Sequence, residues 1–453
     1  MRAAFFLPVV AGAFAVGAFT TVQPLAAIAV VVGAAVLLVV AVNVHALPVF
    51  LVFTMFVSSL SLGPGLAIGR VAAPMALAVL VLYVLERGTN NLRPNVLLAV
   101  VFVYGLWILL SVYWADDSGL VYTTMFSYLI AVVYMLAFAI LIRRPGQMLV
   151  VFATLAVGSF LFGVEAFAAF YASSSSARSQ GLVGDPNFFA VYQVLALPPT
   201  LVLAARETRP WRRLGYLAIV AVIILSVVSS LSRTGLVALS AVLLATMALP
   251  WRIFFRNPAQ KLTYVLMVIG ASAVAVVAGS ASFIARAQSI LDPGTATGDR
   301  GSGRLDLWRA AIQGWEEHPW IGLGASNFQA HALDLLQRTP GVNTRGSWVR
   351  EGREVHNAYL EELVGLGVIG LALWGLVVVL TGWYFVASFR RARVQGETLL
   401  ERISLALLVS LLGFALSAIF LSNELSRALW ILVGLALALD VMTRRLSSQR
   451  RLL

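Results

Sequence analysis

Apolar runs of about 20 residues recur along almost the whole chain, each closed by a short cluster of Arg, Asp, Asn, Gly or Pro. Wound as a helix, such a run crosses about 30 Å of hydrocarbon. The runs lie near 3–22, 25–42, 46–62, 71–86, 95–114, 122–142, 148–171, 187–205, 214–231, 234–250, 262–281, 358–386, 403–421 and 426–443. They predict about 12–14 membrane spans and an all-α polytopic membrane protein; a barrel would show short alternating strands instead. Phe5 to Val22 has the length of a signal peptide, but further spans follow at once without a clear small-residue cleavage site, so it is expected to be a retained helix. The pattern divides the chain into N-terminal spans (1–171), a second set carrying an outer loop (172–281), a large polar loop (282–357) and C-terminal spans (358–453). No internal repeat is evident, and Ser173 to Ser176 reads as a flexible lead-in.

The polar loop has a pattern of its own. From Ser302 to Glu317, Leu305, Trp308, Ile312 and Trp315 recur at three- and four-residue steps, as on an amphipathic helix. Ser302 can cap it, and Pro319 lies just past its end. Two tryptophans on the apolar face suit a helix lying at the membrane interface or against the bundle.

Charge adds an orientation. The net charge is +12 with 11% charged residues, and Lys261 is the only lysine. The arginines are spread over loops rather than gathered on one face, which argues against nucleic acid. Arg87/Arg93, Arg143/Arg144, Arg206/Arg209/Arg212/Arg213, Arg252/Arg256/Lys261, Arg390/Arg391/Arg393/Arg402 and the tail occupy alternate loops. By the positive-inside rule these loops and both termini are cytoplasmic. The loops around Asp116/Asp117, Arg178, Arg233, 282–357 and Asn423/Glu424 then lie outside. Cysteine is absent, which removes disulfides and thiol chemistry, and no His/Asp/Glu spacing resembles a metal site.

Candidate chemistry gathers on the outward loops. Arg304 falls in the first turn of the amphipathic helix after Gly301-Ser302-Gly303, where free N–H groups, a helix dipole and a guanidinium favour a phosphate; pairing with Asp299 or Asp306 is the alternative. Arg178 leads into Gly181, Gly184 and Asp185-Pro186-Asn187, in which Asp185 or Asn187 fits a helix cap and Pro186 the first turn; snorkelling to headgroups is the competing role for that arginine. His356 closes the polar loop at the start of the next span, with Asn357 as a plausible cap. A helix N-terminus disfavours imidazolium, so His356 is expected to be neutral and able to accept a proton. Glu351, Glu354, Glu361 and Glu362 are the rival bases, and His318, His331 and His45 receive no role.

His356-Asn357-Ala358-Tyr359-Leu360 followed by Gly365-Leu366-Gly367-Val368-Ile369-Gly370 resembles the C-terminal signature of the bacterial O-antigen ligase and polymerase superfamily. Gly303-Arg304 with Trp308, then Pro319-Trp320-Ile321-Gly322-Leu323-Gly324 with Phe328, resemble further family patterns. So do Arg178 with Gly181 and Asp185-Pro186-Asn187, and Ser232-Arg233-Thr234-Gly235, over roughly residues 175–440. Gly365 departs from it, standing where many relatives carry a glutamate; that Glu is dispensable here or Glu361/Glu362 substitutes.

The resemblance implies a GT-C-like, metal-independent glycosyltransferase of the bacterial cytoplasmic membrane, needing no cofactor. It would move a glycan from an undecaprenyl-diphosphate donor on the outer leaflet to a glycan, lipid A-core or wall-polymer hydroxyl. Arg178 and Arg304 would carry the leaving-group charge, with Arg233 a further candidate, and His356 would serve as base or, alternatively, as a phosphate ligand. Ligation and polymerisation use similar residues. A transporter or flippase of lipid-linked sugars is the reading from another class; it predicts midplane ionisable groups, of which the sequence offers mainly Glu165.

Overall fold

The computed structural model describes residues 43–57, 61–63, 66–88, 94–172, 180–270, 273, 303–342 and 349–450. Its helices are α1 (Leu47–Phe56), α2 (Ile68–Arg87), α3 (Val96–Leu110), α4 (Ser118–Leu141), α5 (Pro145–Ala172), α6 (Pro186–Arg206), α7 (Pro210–Ser229), α8 (Arg233–Ala248) and the short α9 (Trp251–Phe254). A further helix, α10, covers 258–270. Then come α11 (Arg304–Glu317), α12 (Phe328–Arg338), α13 (Ala358–Gln395), α14 (Thr398–Ser417) and α15 (Arg427–Arg450).

The polytopic all-α class holds. Seven helices, α3 to α7, α13 and α14, are long and apolar enough to cross a membrane, while α8 and the stretch Val44–Phe56 are apolar but shorter. Among the described residues, full-length spans are thus fewer than the hydropathy pattern predicts. The predicted spans 3–22 and 25–42 lie outside the described residues. The predicted span 46–62 is helical only as far as Phe56. Beyond it Ser61–Gly63 and Leu66–Ala67 pair as an antiparallel hairpin, the only strands among the described residues.

The bundle is organised around two buried helices. In α6 every residue from Phe189 to Ala205 is buried. Pro199 inside it has no N–H to give the Leu195 carbonyl, and the Ser410 hydroxyl of α14 donates there instead at 2.9 Å. The second is α15, apolar and buried from Ala428 to Leu439. Gly434 lets it approach α4 so closely that a Cβ there would strike the Met135 carbonyl and the Phe138 side chain, 2.8 Å away.

Outside the bundle core sits a smaller apolar cluster of Leu307, Ala310, Ala311, Leu323, Phe328, Ala332, Leu335, Leu336, Val355 and Val364. Amphipathic helix α11 is present, but its buried face is Asp306, Leu307, Ala310, Ala311 and Gly314, while Ile312 is exposed. The expected stripe is therefore out of phase: Trp308 and Trp315 flank the buried face and only partly cover the cluster. Gly303 in the left-handed region (φ 74°), not Ser302, occupies the cap position.

That cluster joins the bundle through a broken helix. At Gly367 (φ 69°, ψ −171°) α13 leaves helical geometry, and residues 319–324 insert into the gap. In an unbroken helix the Val364 and Gly365 carbonyls would accept from Val368 and Ile369. Instead Leu323 N donates to Val364 O and Gly324 N to Gly365 O, both at 2.8 Å. Val368 N turns to Pro319 O at 3.0 Å and Ile369 N to Trp320 O at 3.5 Å, while the Trp107 indole of α3 takes Leu366 O at 3.1 Å. The break leaves each of these groups bonded, which is why a buried kink is tolerated.

Two glycines make the insertion possible. A Cβ on Gly322 (φ 68°) would lie 2.5 Å from the Gly365 carbonyl, and one on Gly367 would overlap the Trp320 carbonyl. Gly322→Ala and Gly367→Ala should each cost upwards of ~1–3 kcal/mol from backbone strain alone, with the clash in addition. Gly375→Ala, farther along α13 where nothing lies within 4 Å, should be neutral or slightly stabilising. Thermal unfolding of the three variants in detergent checks this, and equal midpoints would refute it.

Candidate functional site

Four helix N-termini converge at the end of the bundle that carries the smaller cluster. Asp185 caps α6, accepting from Asn187 N and Phe188 N at 2.7 and 2.9 Å. Ser232 caps α8 through Gly235 N (3.0 Å) and donates to Asn187 Oδ1 at 2.8 Å, which ties the α8 start and Arg233 to the α6 start. Asn357 caps α13 by accepting from Tyr359 N and Leu360 N. The start of α11, with Arg304, faces the same place, since Arg304 and Asp185 both act on the His356 ring. Helix N-termini offer N–H groups and positive dipole ends, so a cluster of them suits an anion.

The segment carrying His356 is pinned on all sides. Val355 N donates to Glu361 Oε2 at 2.9 Å, and Ala358 N donates to Ala418 O (2.8 Å) and Leu421 O (3.1 Å) at the end of α14. His356 itself has φ 56°, a left-handed geometry uncommon for a side-chain-bearing residue. Its Nδ1 is buried and has no hydrogen-bond partner. Burial, then the charges of Arg304 and Arg353, push the imidazole down to about 4; Asp185 opposes them. Burial and the two arginines favour the neutral ring, as the helix N-terminus invoked from sequence also would.

Arg353 was not recognisable in the sequence. It stands in the charged run Arg350-Glu351-Gly352-Arg353-Glu354, which shows no periodicity. Half-buried, its Nε is without a hydrogen-bond partner, and burial with Arg350 lowers its basicity. Glu354, beside it, has its carboxyl raised, first by loss of water around it and then by Asp185. Arg178 lies outside the described residues. Asp306 approaches Arg309 at 3.5 Å.

Below His356, Glu361 also accepts from Ser422 Oγ at 2.9 Å, and Glu362 Oε1 accepts from Tyr104 OH of α3 at 2.6 Å. Neither Tyr104 nor Glu424, which faces the same space, carries a local sequence signal, because their partners are distant in the chain. Of the histidines given no role, His331 lies 3.1 Å from Asp116 and His45 Nδ1 lies 3.1 Å from Leu141 O, both structural contacts. Among the described residues no group of three or more His, Asp or Glu side chains is arranged to hold a metal.

The pH dependence of stability follows from His356. Its ordinary value is 6.5 and its folded value about 4, so between these the unfolded chain binds the proton and the folded one does not. The neutral ring's contribution is therefore whole above pH 6.5 and is lost as pH falls toward 4. His356→Gln should lose less stability than the wild type across that window in thermal melts. A constant gap between the two proteins would show an ordinary imidazole.

Residues 217–375 match the family model described as O-antigen ligase, which agrees with the resemblance carried by the motifs. The matched region includes Arg233, Arg304, Arg353, Glu354, His356 and both glycines of the broken-helix junction. Comparison with curated proteins gives no match.

Proposed function

We propose that this protein is a member of the O-antigen ligase and polymerase superfamily and acts as a metal-independent membrane glycosyltransferase, moving a glycan from an undecaprenyl-diphosphate donor to an acceptor hydroxyl at the outer face of the cytoplasmic membrane. The observation that carries the reading is the pairing of Arg304 and Arg353 around a half-buried His356 whose imidazole is held toward its neutral form where four helix N-termini meet. Two guanidiniums and the helix ends supply fixed positive charge for a leaving diphosphate without reorganisation. Arg233 stands next to this cluster through the Ser232–Asn187 bond, and Arg178 joins it on motif grounds. The donor's lipid chain would lie along the exposed apolar helix faces, the acceptor over His356.

Burial and the two arginines suppress the basicity of His356. A bound diphosphate would offset their charge and restore it, so the base would become competent only with donor in place. His356 then takes the acceptor's proton as the hydroxyl oxygen attacks the anomeric carbon and the diphosphate departs. The raised carboxyl of Glu354 supports one alternative, in which Glu354 is the base and His356 a phosphate ligand. Ligase and polymerase chemistry fit this site equally. Sidedness rests on the loop arginines and on the site residues themselves, all of which come from loops assigned outside.

Transfer from a carrier-lipid donor by purified protein in vesicles tests the proposal. Arg304→Ala and Arg353→Ala should each abolish most donor binding, with Lys rescuing only in part. His356→Ala should lower turnover by ~10²–10⁴-fold while donor still binds. Chelators should have no effect. In this cysteine-free chain, Gln337→Cys should react with an impermeant thiol reagent from outside and Glu397→Cys should not. Full activity in Arg304→Ala, loss of activity on chelation, or reversed labelling would each contradict the reading. A His356→Ala protein that binds poorly yet turns over normally once saturated would move the base role to Glu354.

A further inference from the structure

Behind His356, between α3, the first turns of α13 and the link from α14 to α15, is a small cavity lined by Tyr104, Thr124, Ser326, Glu361, Glu362 and Glu424. Its volume is about 10 Å³, room for roughly one water. Glu361 and Glu362 are 7% and 5% exposed. Three carboxylates thus share a space of one water's size, and none of the lining residues is Arg, Lys or His.

The hydrogen bonds leave the cluster incomplete. Glu361 Oε2 has two donors, Val355 N and Ser422 Oγ, and Glu362 Oε1 has the Tyr104 hydroxyl. Two further oxygens, Glu362 Oε2 and Glu424 Oε2, are buried with no partner. Two acceptor oxygens left bare inside a protein are costly, and a proton on either one converts an acceptor into a donor. Burial, then Glu361 and Glu362, hold the Glu424 carboxyl well above the usual carboxylate range. A metal ion is not the counter-charge the geometry offers, because these oxygens do not form a metal-binding group.

The cavity also touches the transfer site. Glu361 is bonded to the backbone of Val355, the residue before His356, and it feels the charge of Glu354. Asp185, Arg353 and Arg304 face His356 and Glu354 from the other side. We propose that the Glu361–Glu362–Glu424 cavity is a proton-binding site serving the transfer reaction, taking up the proton released when the new glycosidic bond forms. The inference rests on the transferase reading above. In that step the acceptor O–H bond breaks and its oxygen bonds the anomeric carbon, whose bond to the diphosphate oxygen breaks with the electron pair leaving on phosphate. The proton passes to His356, which cannot keep it once the diphosphate has left the two arginines, then by way of Glu354 to a carboxylate of the cluster that is still ionised beside the one protonated at rest, and this second proton returns to outside water before the next turnover.

Infrared spectroscopy of the wild type and Glu362→Gln in nanodiscs tests this without reference to activity. Gln retains an acceptor for Tyr104, and Glu424→Gln serves as the second variant should the first not fold. The wild type at neutral pH should show the carbonyl stretch of a buried protonated carboxyl, shifted in heavy water and diminished in the variant. Turnover of the variant at saturating donor should fall by less than the ~10²–10⁴-fold of His356→Ala, with unchanged donor binding and a displaced pH profile. Absence of the band in the wild type, or a wild-type rate and pH profile in the variant, would overturn the proposal. Neither result would touch the transferase reading, which fails instead if His356→Ala and Arg304→Ala both turn over normally.

Discussion

The insertion of residues 319–324 into the break in α13 is the contact that seats the smaller apolar cluster and its charged residues on the bundle. It is a backbone contact: Val364, Gly365 and Val368 exchange their helical partners for Leu323, Gly324 and Pro319. Because the first turns of α13 carry Val364 into the outer cluster and the rest runs on into the bundle, one helix belongs to both. The same segment is latched from the other side, with Ala325 N on Ser111 Oγ and with Asn327 and Asp117 exchanging hydrogen bonds through Asn327 Oδ1 and Nδ2. A polar loop rich in charge is thereby fixed against the helix that bears His356. Without that junction Arg304, Arg353 and His356 would have no common frame.

Electrostatics then divides the site into layers. Arginines and helix N-termini surround a half-buried histidine, and a pocket of carboxylates is joined to that segment through the bond from Val355 N to Glu361. Each layer is costly alone: clustered cations repel, a buried imidazole cannot ionise, and buried carboxylates lack water. Placed side by side, they separate positive charge suited to an anion from carboxylates suited to a proton. The positive φ of His356 and the bare oxygens of Glu362 and Glu424 mark where the fold departs from its lowest local energy, as functional sites do.

Much of this was legible in the chain and some was not. Hydropathy located the helices, since a run of apolar residues long enough to span can hardly do otherwise. Caps at Asp185 and Asn357 followed from residue type and position. Gly322, Gly324 and Gly367 were visible only as parts of a family-like pattern; the structure gives their reason, which is the close passage of two backbones at Gly322 and Gly367 and the approach of Ala115 at Gly324. The phase of α11 was misread because its buried face uses small residues, Ala310, Ala311 and Gly314, which hydropathy weighs lightly beside Trp and Ile. Arg353 was hidden in an aperiodic charged run, and Tyr104 and Glu424 meet Glu362 only through the tertiary fold. The departure at Gly365 also gains a context: it lines the same cavity as Glu361 and Glu362.

In the proposed mechanism Arg304 and Arg353, brought to His356 by the docked loop, form one diphosphate site. An electron cryomicroscopy map of the protein with a carrier-lipid diphosphate bound tests it most directly. The account predicts the diphosphate within hydrogen-bond reach of both guanidiniums and beside His356, with the 319–324 segment still seated in α13. A diphosphate bound elsewhere on the bundle, or one that reaches the site only after that segment has left the break, would contradict it.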